Sequence, residues 1–504
     1  MRSSPSGSAT SSVAASAAAQ LEAEALRERI AELEAVARRL EPGPDDREAL
    51  RAPVVRHSEE FYAGLEEALA YRVTKDKGAG LLEVQIPERG IAIDQALEII
   101  GEHVDRPGLN PASGGHMAYV PGGGVFASSL GDYLADVGNH YSGVFYATPG
   151  AVRLENLLVR WMAEFVGYPA SALGTLASGG SIANLTAIVA ARDAKRVRSR
   201  DVERSPVYMT RQVHHCVTKA MRLAGLGEAP IRAVPLDDRY RMRPDELARL
   251  IRADREAGLR PWMVVASSGT TDTGAIDPVN EIADVAEAEE LWLHVDAAYG
   301  GFFLLTELGR KLIRGLERSD SVVMDPHKGL FLPYGTGALI VKDGELLARS
   351  QHYEANYLQD ALSSTEEISP ADLSPELTRH FRGLRMWMPL VLHGLAPFRA
   401  ALEEKIQLCR YFYEELGKIP GMERGPYPEL SVALYRYVPS GVDPNEFNAR
   451  LIREVQRDGR IFLSSTTIDD VFWLRLAVLC FRTHRRHVDL ALEILKAKIT
   501  ELGG

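Results

Sequence analysis

Positive charge, cysteine and long apolar runs are all scarce in this chain. Its 58 Lys and Arg are outnumbered by 69 Asp and Glu, for a formal net charge of -11. A nucleic-acid partner, which needs clustered cations against phosphate, is therefore not expected. The one dense basic run, Arg482 to Arg486, is too short to reverse that balance. There are 3 cysteines, Cys216, Cys409 and Cys480, far apart and odd in number. They form neither a disulfide framework nor a CxxC metal site, so no metal is expected and a reducing cytoplasm is the expected location. No apolar run approaches the roughly 20 residues that cross a bilayer, and no membrane partner is expected. The Ser/Ala-rich residues 1–20 lack the apolar stretch of a signal peptide and read as a disordered tail.

What is present is the composition of a folded, water-soluble protein: 46% hydrophobic and 25% charged residues. A length of 504 residues exceeds one ordinary core, so two or three packed units are expected. From Leu21 to Leu40 apolar residues recur at Leu26, Ile30, Leu33, Ala37 and Leu40, which predicts an amphipathic helix with a narrow seam, closed by Pro42-Gly43-Pro44. Such a seam packs either on its own domain or on a partner subunit. Helical text continues through His103 and gives way to Gly/Pro-rich loops such as "YVPGGG" at Tyr119 to Gly124.

The middle of the chain alternates helical segments with the apolar runs "PVYM", "WMVVASS", "LWLHVD", "SVVMD" and "GALIVK". That alternation predicts an α/β domain with a mostly parallel sheet covered on both faces. Beyond Trp387, long helical text around "SVALYRYV" and "VFWLRLAVL" predicts a smaller α+β unit. The expected boundaries are a helical segment over 21–125, a large domain over 126–390 and a small C-terminal domain over 391–504.

Ligands of parallel sheets gather at the carboxyl ends of the strands, and four pieces of text fall there. In "ASGGSIANLTAIVAARD", Gly180 and Ser181 open a helix whose first N–H groups suit an anion such as a phosphate; an ordinary glycine-rich cap reads the same way. "LWLHVDAAYGG" ends a buried strand in Asp296, which can hold a proton on a heterocyclic nitrogen or merely cap the strand. "VHHCVTKA" offers an imidazole that can stack on a flat ring, although adjacent histidines are as often surface residues. "DPHKGLFLPYGTG" places Lys328 after the run Val322-Val323-Met324. A lysine with a lowered pKa in a dry pocket forms Schiff bases with aldehydes, and its bland alternative is a lysine snorkelling from a strand end. Anion cradle, carboxylate, imidazole and amine together are the parts that hold pyridoxal 5′-phosphate (PLP).

With those motifs, from "GHMAYVPGG" at Gly115 to "LRLAVLCFRT" and through "GTT", "HVDAAY" and "DPHK", the chain resembles the PLP-dependent group II amino-acid decarboxylases, the family of aromatic-L-amino-acid and glutamate decarboxylases. The resemblance implies PLP fold type I, with a seven-stranded, mostly parallel sheet in the large PLP-binding domain, an N-terminal helical dimerisation segment, and a homodimer with shared active sites. It implies decarboxylation of an L-amino acid to its amine. Lys328 then corresponds to the Schiff-base lysine, Asp296 to the partner of the pyridinium nitrogen, and Ala298 and His214 to the residues on either face of the ring. Gly180 and Ser181 match the phosphate cradle, Thr271 a hydroxyl near the ring, His327 the residue before the lysine, and Arg475 an arginine for the substrate α-carboxylate.

Two departures stand out. The family carries a proton-donating tyrosine on a mobile loop, and the matching text from Gln359 to Phe381 has none. Tyr334, Tyr353 or Tyr357 can replace it, another group can deliver the proton, or the product is an aldehyde with ammonia and peroxide rather than an amine. The other is Asp325, where relatives often have Asn beside the phosphate; a carboxylate there has to point away or be paired. Further alternatives are a carbon–carbon lyase for phosphorylated long-chain amines, similar only around "HK", and a non-catalytic scaffold, against which the joint retention of Lys328, Asp296 and His214 argues.

Overall fold

The computed structural model describes residues 8–352 and 367–503, with side chains described from residue 15. It divides into two compact units, one of Met1–Leu65 with Gly78–Arg106 and the other of Glu66–Lys77 with Pro107–Gly504. Among the described residues no helix is long and apolar enough to cross a membrane.

The first unit is helical: α1 spans Ser8–Ala37, α2 Pro44–Gly64 and α3 Ile93–Ile100. α1 begins within the segment expected to be a disordered tail. The physical reason is alanine, the strongest helix former, which recurs through residues 9–19. Leu26, Ile30 and Leu33 are exposed along α1.

In the second unit, a short antiparallel ribbon pairs β1 (Tyr71–Arg72) with β2 (Gly108–Leu109). α4 (Phe126–Gly138) and α5 (Pro149–Val166) lead into the main sheet. Its strands are β3 (Leu173–Ala177), β4 (Val207–Met209), β5 (Ile231–Ala233), β6 (Met263–Ser267), β7 (Trp292–Asp296), β8 (Ser321–Met324) and β9 (Gly337–Val341). They lie in the order β3-β9-β8-β7-β6-β4-β5. Only β9 runs against the rest.

The continuous apolar runs have a direct cause, because alternate residues feed two different cores. Val264, Leu293, Val295, Val322 and Ile340 join one cluster, while Met263, Val265, Trp292, Val323 and Leu339 join the other. A strand buried on both faces cannot show polar alternation. All five runs form strands at the expected places. β3 and β5 escaped sequence reading because Gly174 dilutes the first and the second is an edge strand, exposed at Ile231 and Ala233, with Arg232 at its centre.

The C-terminal text forms a second sheet of β10 (Met422–Arg424), β11 (Val432–Tyr437), β12 (Ser464–Ile468) and β13 (Val471–Ala477), in the order β10-β11-β13-β12 and wholly antiparallel. It packs with the helices Leu395–Leu416, Pro444–Asp458 and Arg485–Glu501 around a core of its own that includes Phe412, Tyr435, Leu451 and Leu474.

Candidate active site

The carboxyl ends of β3, β6, β7 and β8 deliver their side chains to one cavity of ≈ 390 Å³. Its lining contains Gly180, Ser181, His214, Thr271, Asp296, Ala298, His327, Lys328 and Tyr334, nine of the residues singled out from sequence.

α6 (Gly180–Ala194) starts three residues after β3, and Gly180 and Ser181 at its first turn, where helix N–H groups lack intrahelical partners, line the cavity. His214 is the N-cap of α7 (His215–Leu223), and its Nδ1 accepts from the Cys216 N–H at 3.3 Å. That bond fixes the neutral tautomer with its proton on Nε2. Burial, reinforced by His215 and Lys328 and opposed by Asp296, holds the His214 pKa below its ordinary value.

Asp296 ends β7 and is buried. Its Oδ1 accepts from Ala298 N–H at 3.1 Å and its Oδ2 from Asn184 Nδ2 at 3.4 Å. Behind it lies a chain of buried polar groups whose direction is determined by its ends. The Trp292 indole N–H donates to Ser321 Oγ at 2.9 Å, Ser321 donates to His294 Nδ1 at 2.8 Å, and His294 Nε2 donates to Asn184 Oδ1 at 2.8 Å. An indole only donates and a carboxylate only accepts, so each proton in between points toward Asp296. Burial lowers the His294 pKa to about 4, which keeps the imidazole neutral and the chain consistent.

Lys328 lies in the one-turn helix Pro326–Gly329 that follows β8. Its Nζ is 3.2 Å from Asp325 Oδ2. Here the expectation of a lowered pKa is overturned for the free protein. Burial opposes the ammonium, but Asp325 and Asp296 outweigh it and the pKa lies above the usual lysine value. Asp325 is accordingly paired, the resolution that a carboxylate in this position requires. His327 donates from Nδ1 to Thr336 O at 2.6 Å, and burial lowers its pKa. Gly122 of the "YVPGGG" loop packs on His327: a Cβ there would meet its carbonyl oxygen at 2.1 Å.

Thr271 sits in the turn after β6, where Gly269 takes φ +96° and has the Tyr299 ring 2.6 Å from its would-be Cβ. A side chain is excluded there on both counts. Arg475, on β13, is buried behind this turn and is not in the cavity lining. Its Nε donates to Asp272 O at 2.9 Å, its Nη1 to Ser464 Oγ at 3.1 Å and its Nη2 to Thr271 O. The guanidinium thus holds the Thr271 turn, which a strand assignment by sequence could not foresee. Tyr334 is 55% exposed at the cavity rim, with its ring 5.7 Å from that of His327 and its pKa raised by burial. Tyr353 and Tyr357 lie outside the described residues.

Asn184 and His294 were missed from sequence. A signal existed: an amide among the Ala, Leu, Ile and Val residues of α6 and an imidazole inside the apolar β7 both need buried partners.

The family model "Pyridoxal-dependent decarboxylase conserved domain" matches residues 81–423. The chain is 33% identical over 414 residues to an aromatic-L-amino-acid decarboxylase of Bacillus atrophaeus, covering 80% of this chain and 84% of that protein. To a phenylacetaldehyde synthase of Petunia hybrida it is 27% identical over 455 residues, covering 85% and 90%. The crystal structure of Oryza sativa TDC with PLP and tryptamine superimposes with a TM-score of 0.86 at 28% identity, covering 91% of this chain and 99% of that one.

Proposed function

Because the chain belongs to the pyridoxal-dependent decarboxylase family, whose members are PLP-dependent carboxy-lyases, we propose that it converts an L-amino acid to its amine and carbon dioxide, with an aromatic side chain as the substrate class that its relatives' names support. The observation that carries this is the convergence of Lys328, Asp296 and His214 on one cavity. The residues fit the cofactor. An amine stands on the wall, a carboxylate is held by two N–H donors, and at Gly180, which opens α6, a Cβ would come within 2.9 Å of Asp325 Oδ2.

PLP, when bound, supplies a ring that takes up the electron pair left as carbon dioxide departs. Lys328 would hold its aldehyde carbon and Gly180 with Ser181 its phosphate. Asp296, which accepts from the Ala298 and Asn184 N–H groups, would hold a proton on the ring nitrogen. His214 and Ala298 would flank the ring, and Thr271 would sit beside it on the turn that Arg475 holds. An arginine so engaged would reach a substrate carboxylate only by releasing Thr271 or Asp272. Tyr334 would return a proton to the substrate carbon.

A second reading, oxidative deamination to an aldehyde, is favoured by the absence of tyrosine from Gln359 to Phe381 and by the likeness to a phenylacetaldehyde synthase. A homodimer belongs to the same proposal, supported by the exposed seam of α1.

The test is to reconstitute the protein with PLP and incubate it with a panel of L-amino acids while carbon dioxide, amine, aldehyde and peroxide are measured. The proposal expects equal carbon dioxide and amine for an aromatic substrate, and neither product from Lys328→Ala. Equal aldehyde and peroxide would establish the second reading instead, and turnover by Lys328→Ala would overturn both.

A further inference from the structure

α1 is exposed over all of residues 15–37, although Leu26, Ile30 and Leu33 share one of its sides. It lies ahead of the residues that the family model matches, and none of its residues lines the cavity. An apolar side on a helix in water is a cost unless something covers it, and the spacing says what shape of cover it suits. With Ile30 as position a of a heptad, Ala23, Ile30 and Ala37 fall at a, while Ala19, Leu26, Leu33 and Leu40 fall at d. That is the alternation of threes and fours that makes a coiled-coil seam. Leu40 continues it in the short turn Arg38–Leu40 and is exposed. Isoleucine at a with leucine at d favours two strands.

The charges that flank the seam say what the second strand is. Glu22 and Arg29 fall at g, and Arg27 and Glu34 at e. In a parallel, in-register pair each g residue faces the e residue of the next heptad on the other chain. Glu22 of one copy then meets Arg27 of the other, and Arg29 of one copy meets Glu34 of the other, each contact occurring twice by symmetry and none between like charges. Antiparallel pairings do worse. With Ile30 opposite Leu26 of the other copy, Arg27 meets Arg27 and Arg29 meets Arg29; with Ile30 opposite Leu33, only Arg27 and Glu34 are matched. Arg29 and Glu34 are engaged within α1 by the exposed Glu32 at 2.9 Å and Arg38 at 2.5 Å, surface pairs that contribute little and leave both free to turn toward a partner.

We propose that α1 pairs with α1 of a second copy of this chain as a parallel, in-register, two-stranded coiled coil. The seam is covered by its own copy because its flanking charges complement themselves in that orientation and in no other as well. Matched against mismatched charges determine orientation more than affinity. The proposal deepens the homodimer described above and rests on it. A seam of about three heptads with alanine at several core positions is too short to hold two chains together in dilute solution, and it closes because the rest of the dimer raises its local concentration.

The experiment uses the full-length protein loaded with PLP. Its three native cysteines are buried, so a cysteine placed on α1 is the exposed one. Leu26→Cys and Leu33→Cys are oxidised separately at micromolar concentration and run on a non-reducing gel. Each is expected to link to its own copy, because in a parallel pair identical seam residues stand opposite each other within disulfide reach. Ala35→Cys, on the outward side of the helix, is expected to link at least about tenfold more slowly, since its sulfurs lie beyond that reach. Adding Arg29→Glu to Leu33→Cys sets carboxylate against carboxylate and should slow linking by about twofold or more at low salt, and Arg29→Glu with Glu34→Arg should restore it.

Linking of Ala35→Cys as fast as Leu26→Cys and Leu33→Cys would overturn the coiled coil, as would failure of both seam variants to link. Linking found only when Ile30→Cys and Leu33→Cys are mixed would replace the parallel pairing by an antiparallel one and overturn the proposal, and a rate indifferent to Arg29→Glu would overturn the register. The coiled coil and the homodimer are separable: a protein that is a dimer by light scattering but does not link fails only the pairing of α1, whereas a monomer fails the homodimer as well.

Discussion

Tyr334 and Asn184 both line the cavity and do different work. Tyr334 has its ring beside His327 and burial raises its pKa, so the phenol stays protonated at neutral pH. Tyr334→Phe is expected to slow amine formation and to raise the share of aldehyde and peroxide, read as the product ratio on one substrate; an unchanged ratio would assign Tyr334 to the turn that Pro333 and Gly335 make. Asn184 acts through Asp296. Its Nδ2 reaches Asp296 Oδ2 at 3.4 Å and Gly180 O at 2.8 Å, and its Oδ1 receives the buried His294. Asn184→Ala removes a hydrogen bond to a charged group and strands an imidazole, at a cost of about 1.5–3 kcal/mol in urea unfolding. A purely structural role would stop there. A positioning role also shifts the pH at which the bound cofactor's absorption changes, because Asp296 loses a donor that orients it.

At the scale of elements, the site depends on a loop that contributes no chemistry. The glycines from Gly122 to Gly124 let the chain run against the Lys328 turn; Val125 N–H donates to Phe331 O at 2.8 Å, and Arg482 Nη1 donates to Gly123 O at 2.6 Å. Since a Cβ on Gly122 would meet His327 O at 2.1 Å, Gly122→Ala forces backbone apart from backbone. Overpacking of that kind costs about 1–3 kcal/mol. Because the strain falls on the Lys328 turn, a PLP affinity weaker by about tenfold or more is expected in fluorescence titration, with the melting temperature changed little. Wild-type affinity would mean that the loop moves away freely.

For the whole molecule, buried histidines tie stability to pH. His116 is 2% exposed, neither of its ring nitrogens has a hydrogen-bond partner among the described residues, and burial pushes its pKa from 6.5 down to about 4. The unfolded chain then binds a proton that the folded chain refuses between those two values, so the contribution of His116 to stability is full above about pH 6.5 and falls as pH drops toward 4. Replacing it by Phe removes that loss. The stability of His116→Phe relative to wild type should rise by up to about 1.4 kcal/mol per pH unit on acidification through this window. A pH-independent difference would mean that His116 finds a partner in solution. The exposed Leu26, Ile30 and Leu33 of α1 lead to a second expectation at this scale, a dimer by light scattering. An active monomer at working concentration would remove it.

The apolar runs that became β4, β6, β7, β8 and β9 were legible because strands buried on both faces must be apolar throughout, and that need is written in consecutive residues. Gly180, Asp296 and Lys328 were legible for a related reason: a strand's carboxyl end and the start of the next helix are local features, and each residue sits at one. The fold class, the cofactor and the family rest on such local text. What local text does not contain is distance. The carboxylate of Asp325 and the amine of Lys328 are three residues apart in sequence, but the raised pKa of the lysine also needs Asp296 from another strand. Arg475 in "FWLRLAVL" matches by resemblance an arginine for the substrate α-carboxylate, and its engagement with backbone carbonyls arises only because β13 carries it behind the Thr271 turn, some 200 residues earlier in the chain. The sequence by itself determined which chemistry the chain can carry; the tertiary structure decided which charges face one another, because a pKa and a hydrogen bond depend on separation and burial, and both are properties of the packed chain.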